Sequence, residues 1–255
     1  MLRLKDKVIV VTGATRGIGS GIAKMLAKEG AHVIISGRNI EEGTSLESEI
    51  RKAGFNAGFI KADISLVRDC YSLIDTAVKI GGKIDGLVNN AGIFPNYKIM
   101  ETSEETFDSV MATNIKGPFF TTQRALKYMT KQKTGSIVNI GSTHWEVGSD
   151  VIAAYSVSKG ALHTLTRHVS HHFAKDGVRC NWITVGWVLT PGELQRVEKK
   201  GHDLAWLEAE AAGRIPSGKM QMPEDIAGAC VFLLSDESSQ VTDADIKVTG
   251  GFHFP

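Results

Sequence analysis

Short apolar runs alternate with longer amphipathic stretches along the whole chain. Seven short runs, several of them rich in Val and Ile, predict strands: Lys7–Val11, His32–Ser36, Phe59–Ala62, Gly86–Asn89, Ser136–Ile140, Cys180–Thr184 and Ile246–Val248. Between them, longer stretches repeat apolar residues at the helical period: Gly17–Glu29, Glu41–Ala53, Leu66–Ile80, Glu104–Lys131, Tyr155–Ala174 and Pro223–Leu234. Several of the short runs are apolar on both faces, which is typical of strands buried in a parallel sheet.

This alternation predicts right-handed βαβ units and therefore an α/β fold. We expect a doubly wound, Rossmann-type parallel sheet of about seven strands with helices on both faces. No repeat, low-complexity run or linker divides the sequence, so residues 1–255 are predicted to form a single domain. Only Pro191–Gly218 interrupts the rhythm, and its length suggests a small helical insertion or lid over a site.

Composition and charge narrow the kind of partner. The chain has 255 residues, 42% of them apolar, and a formal net charge of +1 at pH 7. Scattered basic residues give no field for nucleic acid, so a small-molecule partner is favoured. The three cysteines, Cys70, Cys180 and Cys230, show neither disulfide nor zinc spacing, which indicates a reduced, cytoplasmic setting. No signal-like segment and no run of about 18 apolar residues occurs, so no membrane partner is expected.

A glycine-rich turn follows the first predicted strand. It reads TGATRGIG over residues 12–19 and leads directly into an amphipathic helix. Gly13 permits the tight turn, while Gly17 and Gly19 carry no side chains that would block a pyrophosphate from the helix N-terminus. A plain strand-to-helix connection is the simpler alternative, but the strand before the turn and the helix after it favour a dinucleotide site.

The end of the second predicted strand bears on cofactor choice. A dehydrogenase that prefers NAD usually places a carboxylate there, but this chain has Gly37 followed by Arg38. Arg16 lies in the glycine-rich turn, so two guanidinium groups could converge on a 2′-phosphate. NADP(H) is therefore favoured, with NAD(H) as the alternative if Arg38 only stacks on adenine or lies at the surface.

Tyr155 and Lys159 are four residues apart in a predicted helix and project from one face. A cation beside a phenol favours the phenolate, and a tyrosine with a lowered pKa can exchange a proton with an alcohol or ketone. Ser142 lies just beyond the fifth predicted strand, where parallel sheets place their ligands, so its hydroxyl can hold the same oxygen. Taken alone, such a Tyr–Lys pair is more often an ordinary solvated helix face.

Two further segments favour a catalytic role for this pair over an ordinary helix face: Asn89-Asn-Ala-Gly92 after the fourth strand, and Asn114 in the following helix. With the glycine-rich turn and the Ser142 and Tyr155-x-x-x-Lys159 elements, they make the sequence resemble the short-chain dehydrogenase/reductase family over essentially its whole length. The resemblance implies that Tyr155 is the general acid/base and that Lys159 lowers its pKa and binds the nicotinamide ribose. It further implies that Ser142 orients the substrate oxygen and that Asn114 supports a water in a proton relay.

The resemblance also implies a cofactor site that runs from adenine to nicotinamide. Asp63 matches a residue that contacts adenine, Asn90 matches one beside the adenine ribose, and Thr190 matches the residue that holds the nicotinamide carboxamide. The complete predicted set is Gly13, Thr15, Arg16, Gly17, Ile18, Gly19, Arg38, Asp63, Ile64, Asn90, Ala91, Gly92, Tyr155, Lys159, Val188 and Thr190.

Two loops are expected to border the reacting carbon: the one between Ser142 and Tyr155, and the one between Trp187 and Gly218. They contain six candidate substrate residues: His144, Trp145, Glu146, Trp187, Glu193 and Trp206. Tryptophan faces beside hydrogen-bonding groups suit a sugar, sugar acid or cyclic polyol. Each tryptophan could equally pack the helical insertion or a subunit interface, so both interpretations stay open.

A histidine run along one predicted helix is not interpreted as a metal site. His168 and His172 are four residues apart and could bind a metal in principle, but no carboxylate completes a recognisable set. Surface or interface histidines are the better interpretation, because hydride transfer to a nicotinamide needs no metal.

The main hypothesis is therefore an NAD(P)(H)-dependent oxidoreductase that interconverts a secondary alcohol and a ketone. One alternative is a 3-oxoacyl-thioester reductase acting on an acyl carrier protein; another is a non-catalytic nucleotide-binding regulator or scaffold. The resemblance further suggests a homotetramer or dimer that pairs through the long helices Glu104–Lys131 and Tyr155–Ala174. The apolar tail Phe252-His-Phe-Pro255 is a candidate to reach a neighbour's site.

Overall fold

One parallel sheet forms the centre of the computed structural model, which describes residues 2–147 and 151–252. Within these residues the strands are β1 (Val8–Val11), β2 (His32–Gly37), β3 (Ala57–Lys61), β4 (Gly86–Asn89), β5 (Gly135–Ile140), β6 (Val178–Val185) and β7 (Asp245–Val248). Their order is β3-β2-β1-β4-β5-β6-β7, and every neighbouring pair is parallel. The order reverses between β1 and β4, which opens a crevice at the carboxyl ends of the strands.

Helices cover both faces of this sheet. They are α1 (Gly17–Lys28), α2 (Ile40–Lys52), α3 (Val67–Gly81), α4 (Glu104–Met111), α5 (Gly117–Gln132), α6 (Ala153–Phe173), α7 (Pro191–Glu198), α8 (Leu204–Arg214) and α9 (Pro223–Leu234). On β1, Ile9 and Val11 belong to the core under α1 and α9, whereas Val8 and Val10 belong to the core under α3, α5 and α6. The predicted single-domain, doubly wound fold is confirmed.

One predicted helix is interrupted. Residues 104–131 were expected to be continuous, but a π-helical segment, Ala112–Lys116, separates α4 from α5. A π turn adds one residue to the helical repeat, and the apolar pattern alone does not show it. It also lies where α5 closely approaches the loop after β3, since a Cβ at Gly117 would lie 2.7 Å from the Ile64 carbonyl oxygen. Asn114 lies in this segment.

The insertion at residues 191–218 contains α7 and α8 and has a small apolar cluster of its own. Val197, Leu207, Ala211 and Ile215 are buried in it, together with Met220 from the segment after the insertion, and Phe252 packs against them. Residues 253–255, on which most of the tail expectation falls, lie outside the described residues. None of the helices in residues 2–147 and 151–252 has the length and apolar character needed to cross a bilayer.

Candidate active site

The glycine-rich turn and the segment after β4 support each other. Gly13 and Gly17 have φ angles of +61° and +57°, and a Cβ at Gly13 would lie 2.7 Å from the Cα of Ala91. The side-chain amide of Asn90 donates to the carbonyls of Thr12 (2.9 Å) and Gly13 (3.0 Å). Asn90, predicted beside the adenine ribose, therefore also stabilises the backbone of the turn.

The first turn of α1 fits an anion. Its N-cap residue, Arg16, makes no side-chain cap hydrogen bond, and no acidic residue lies in the first turn. In α2, by contrast, the Asn39 side chain caps the helix and Glu41 and Glu42 occupy the first turn. Uncapped backbone N–H groups and the helix dipole favour negative charge, so the start of α1 suits the pyrophosphate of a dinucleotide whereas α2 does not.

The carboxyl end of β2 brings Thr15, Gly37 and Glu42 together. Thr15 Oγ1 donates to Glu42 Oε2 at 3.0 Å, and a Cβ at Gly37 would lie 2.6 Å from Thr15 Cγ2. Arg16 follows Thr15, Arg38 follows Gly37, and both arginines are exposed. Two guanidinium groups and one carboxylate thus belong to the region where a parallel sheet of this order receives an adenosine ribose.

The remaining predicted adenine and nicotinamide residues lie on neighbouring loops of the same sheet edge. Asp63 Oδ1 accepts from Ser65 N (3.0 Å) and Ser65 Oγ (2.7 Å), and Ile64 is buried. Thr190 caps α7, and a Cβ at Gly17 would lie 3.7 Å from Thr190 Cγ2, so the loop after β6 faces the glycine turn. Val188, buried on this loop, bridges to Gln221.

The predicted catalytic residues form a connected group. Asn114, fully buried, accepts from Ile93 N (2.8 Å) and donates to Ile93 O (2.8 Å) and to Ser158 Oγ (3.0 Å). Ser158 Oγ donates to the Tyr155 carbonyl at 2.7 Å, which connects Asn114 to the first turn of α6.

Tyr155 lies between Ser142 and Lys159. The Ser142 side chain, which begins a short 3₁₀ turn after β5, is hydrogen-bonded to the Tyr155 side chain. Lys159 Nζ donates to the Ile140 carbonyl at 2.7 Å and lies 5.5 Å from the Tyr155 ring centroid. The tertiary structure therefore brings Asn114, Ser142, Tyr155 and Lys159 together from the π-helical segment, the end of β5 and α6.

Burial shifts the pKa values of Tyr155 and Lys159 in the directions that favour their neutral forms. Burial raises the pKa of Tyr155, and the hydrogen bond with Ser142 acts in the opposite direction. Burial lowers the pKa of Lys159 from 10.5 to about 8. The pKa of Tyr155 is thus raised by burial where the resemblance implied a lowered value, and Ser142, not Lys159, is the side chain that opposes the burial effect.

The candidate substrate residues of the loop after β5 pack against neighbouring groups. Trp145 stacks on His163, with ring centroids 3.9 Å apart, and its indole N–H donates to Thr184 Oγ1 at 3.3 Å. Glu146 forms an ion pair with Lys247 at 2.9 Å. The His144 ring lies 6.3 Å from that of Tyr155, and burial lowers the pKa of His144.

The other three candidates, Trp187, Glu193 and Trp206, contact neighbouring side chains. Glu193 accepts from Trp187 Nε1 (2.6 Å) and from the Arg196 guanidinium at two positions (2.6 and 2.8 Å). Trp206 stacks on His202 with ring centroids 3.9 Å apart. These contacts match the alternative in which the insertion's tryptophans pack locally, and the role of the six residues in substrate binding stays a prediction.

A cavity of about 420 Å³ opens beside the turn that follows Ser142, and Glu146 is the one candidate substrate residue from the sequence in its wall. Three threonines from different loops and strands line it: Thr143, Thr184 and Thr249, each buried. Thr184 Oγ1 accepts hydrogen bonds from the indoles of Trp145 and Trp182, so its own O–H remains to be donated. The wall is therefore rich in hydroxyl groups, with the Glu146–Lys247 pair beside them.

Sequence reasoning also missed Ser158, although a local signal was present. Ser158 is three residues after Tyr155 in a helix, a spacing at which a serine hydroxyl reaches the preceding turn's carbonyl.

His168 and His172 have ring centroids 4.4 Å apart, and within residues 2–147 and 151–252 no group of three or more His, Cys, Asp or Glu could hold a metal ion.

Several known proteins are similar to this chain over nearly its whole length. A family model described as Enoyl-(Acyl carrier protein) reductase matches residues 13–253. The chain is 33% identical to cyclopentanol dehydrogenase of Comamonas testosteroni over 99% of both chains. It is 34% identical to L-rhamnose 1-dehydrogenase (NAD(P)(+)) of Azotobacter vinelandii over 97% of both chains. A crystal structure from Sinorhizobium meliloti 1021, described as a short-chain alcohol dehydrogenase, superposes with a TM-score of 0.91 at 32% identity and covers 98% of each chain.

Proposed function

This chain belongs to the short-chain dehydrogenase/reductase family and is an oxidoreductase, and from this premise we propose that it interconverts a secondary alcohol and a ketone with NADP(H) as its preferred cofactor. The observation that carries the proposal is the connected group of Asn114, Ser142, Tyr155 and Lys159 beside an uncapped, glycine-rich helix start. The exposed Arg16 and Arg38 support the preference for a 2′-phosphate.

Each residue of this group has a chemical role in the proposal. A bound nicotinamide dinucleotide supplies or accepts the hydride. The Ser142 hydroxyl holds the substrate oxygen, and the Tyr155 hydroxyl exchanges a proton with that oxygen. Because burial raises the pKa of Tyr155, a positive charge near its ring is needed to favour the phenolate, and Lys159 provides one. Asn114 positions the backbone at Ile93 and connects it to α6 through Ser158.

The substrate we propose is a small hydroxylated ring, such as a sugar, sugar acid or cyclic polyol. Support comes from the cavity lined by Thr143, which directly follows Ser142 in the chain. Its threonine hydroxyls and the Glu146–Lys247 pair can bond to several oxygens. Cyclopentanol and L-rhamnose, named in two relatives, are both substrates of this general kind. The alternative substrate, a carrier-bound acyl thioester, agrees with the family description, which names an acyl carrier protein. An acidic carrier protein would need a basic docking patch beside the site. Lys247, the basic residue at this cavity, is already paired with Glu146.

The decisive experiment follows absorbance of reduced nicotinamide with a panel of cyclic alcohols, aldoses, aldonates, ketones and 3-oxoacyl thioesters. We expect NADP-dependent turnover of at least one hydroxylated ring. Tyr155→Phe should reduce that turnover by about 10²–10⁴-fold, because it removes the hydroxyl that exchanges a proton with the substrate oxygen. NADPH binding should change by no more than a few-fold, since the ring remains.

Three outcomes would contradict the proposal. Turnover of the thioesters alone would favour the carrier-bound alternative. Tight nucleotide binding without turnover of any compound would favour the regulator or scaffold. Undiminished turnover by Tyr155→Phe would remove Tyr155 from the chemistry.

We also propose that the protein assembles as a homotetramer or dimer in a reduced, cytoplasmic setting. An open groove between α5 and α6, lined by apolar residues that include Phe119, Leu126, Leu165 and Phe173, supports the assembly. The three cysteines are unpaired and buried, which is consistent with a reducing compartment. Light scattering that detected only a monomer would refute the assembly.

A further inference from the structure

We propose that Glu42 is a determinant of cofactor choice that acts against Arg16 and Arg38, and that Thr15 holds its carboxylate in place. The inference rests on the proposed function, because it concerns the adenosine end of the same cofactor site. Its effect is on the ratio of affinities for NADPH and NADH, and it does not involve the chemical step.

The position of Glu42 follows from contacts across two βα turns. Thr15 lies in the glycine-rich turn after β1, and Glu42 lies in the first turn of α2, directly after β2. Thr15 Oγ1 donates to Glu42 Oε2 at 3.0 Å, and both side chains are partly buried. The backbone N–H of Glu42 is held as well, since it donates to Asn39 Oδ1 at 3.2 Å.

Gly37 explains why the Thr15 hydroxyl points toward Glu42. The Thr15 methyl group occupies the space above Gly37, because a Cβ there would lie 2.6 Å from Thr15 Cγ2 but 3.4 Å from Thr15 Oγ1. Threonine has few accessible χ1 rotamers, so placing the methyl group over Gly37 also fixes the direction of the hydroxyl. The absence of a side chain at residue 37 and the orientation of Glu42 are thus coupled through Thr15.

The charge of Glu42 is not cancelled by this contact. Thr15 is a neutral partner, so the hydrogen bond orients the carboxylate and leaves its negative charge available to act on neighbouring groups. A 2′-phosphate at the end of β2 would be attracted by Arg16 and Arg38 and repelled by Glu42. A free ribose hydroxyl could instead donate to the Glu42 carboxylate. An NAD site usually has a carboxylate at the end of the second strand, and Gly37 provides none there.

The test measures Kd for NADPH and NADH on the full-length protein by titration of nicotinamide fluorescence. Glu42→Gln keeps the side-chain shape and an oxygen that can accept from Thr15, and removes only the charge. We expect NADPH to bind about three- to tenfold more tightly, the effect of one unit charge in a solvated site, while NADH affinity stays the same or falls. The change in NADPH affinity should shrink in high salt.

Glu41→Gln is the matched control. Glu41 is an exposed carboxylate in the same first turn of α2, so it reports the general effect of removing one negative charge from this helix end. An unchanged NADPH/NADH ratio in Glu42→Gln, or an equal change in both variants, would overturn the proposal.

Thr15→Val tests the positioning part, because it keeps the methyl group over Gly37 and removes the hydroxyl. We expect the effect of Glu42→Gln on the NADPH/NADH ratio to become smaller in the Thr15→Val background; an undiminished effect would show that Thr15 does not hold the carboxylate. If the parent protein binds neither nucleotide, the proposed function fails as a whole. If it binds both and only the ratios are unchanged in the variants, this inference alone fails.

Discussion

The two ends of the cofactor cleft are built in different ways. At the catalytic end, Asn114, Ser142 and Lys159 are all buried, and their polar atoms have backbone or side-chain partners. At the adenosine end, Arg16 and Arg38 are exposed, and Glu42 is held by a neutral hydroxyl.

This difference indicates that the catalytic geometry depends on the buried end and cofactor choice on the exposed end. A buried polar group must find hydrogen-bond partners, so several contacts fix its position. Exposed charges are held loosely and interact over longer distances, so they can alter cofactor choice without altering the fold.

The largest effect should come from Lys159→Met at the buried end. It removes the positive charge near the Tyr155 ring and a predicted contact to the nicotinamide ribose. Turnover should fall by about 10²–10⁴-fold, and NADPH binding should weaken, unlike in Tyr155→Phe. Steady-state kinetics together with a separate NADPH titration check this. Retention of NADPH affinity would limit Lys159 to the proton-transfer step.

The same substitution should stabilise the protein at neutral pH. Burial lowers the pKa of Lys159 to about 8, so between pH 8 and 10.5 the folded state binds fewer protons than the unfolded state. The contribution of this group to stability therefore rises with pH through that window, because the cost of burying the ammonium disappears. Urea unfolding should show Lys159→Met more stable than the parent by roughly 1–3 kcal/mol at pH 7, and less so near pH 10. A gain that is independent of pH would contradict this account.

An intermediate effect is expected at the exposed end, from placing an acid at residue 37. Gly37→Asp should favour NAD by introducing a carboxylate at the end of β2, but its Cβ would meet the Thr15 methyl group. The double variant Thr15→Ser/Gly37→Asp removes that methyl group and should shift the NADP/NAD ratio of kcat/KM toward NAD by about tenfold or more. The single variant should also lose stability, which thermal melting would detect. If the parent already prefers NAD, the assignment of Arg16 and Arg38 to a 2′-phosphate is wrong.

The smallest effect is expected from Ser158, whose hydroxyl links Asn114 to α6 at the catalytic end. Ser158→Ala removes one of the hydrogen bonds of the Asn114 amide and leaves those to Ile93. We expect the free energy of unfolding to fall by about 1 kcal/mol. The decrease in kcat should be a few-fold, with KM little changed.

Ser156→Ala is the control for this variant, because the Ser156 hydroxyl donates to a carbonyl of its own segment, that of Ile152 at 3.2 Å, and has no link to Asn114 among the described residues. Equal losses of kcat in the two variants would show that the link between Asn114 and α6 has no special role.

The sequence by itself determined the features that depend on residues close together in the chain. The Val- and Ile-rich runs predicted the strands, and the helical period predicted α1, α2, α3, α6 and α9 to within two residues. The four-residue spacing of Tyr155 and Lys159 placed both on one helix face, and the glycine turn could be identified because a strand precedes it and a helix follows. These features follow from backbone geometry, which repeats regularly and is visible in the residue pattern.

Only the tertiary structure decided which side chains meet across elements. Thr15 contacts Glu42 and crowds Gly37, Trp145 stacks on His163, and three threonines that are far apart in the sequence share one cavity wall. Glu193, a candidate substrate residue from the sequence, accepts from Trp187 and Arg196. Such contacts depend on how strands and helices pack and on which rotamers remain free, and one chain's pattern of polar and apolar residues specifies neither.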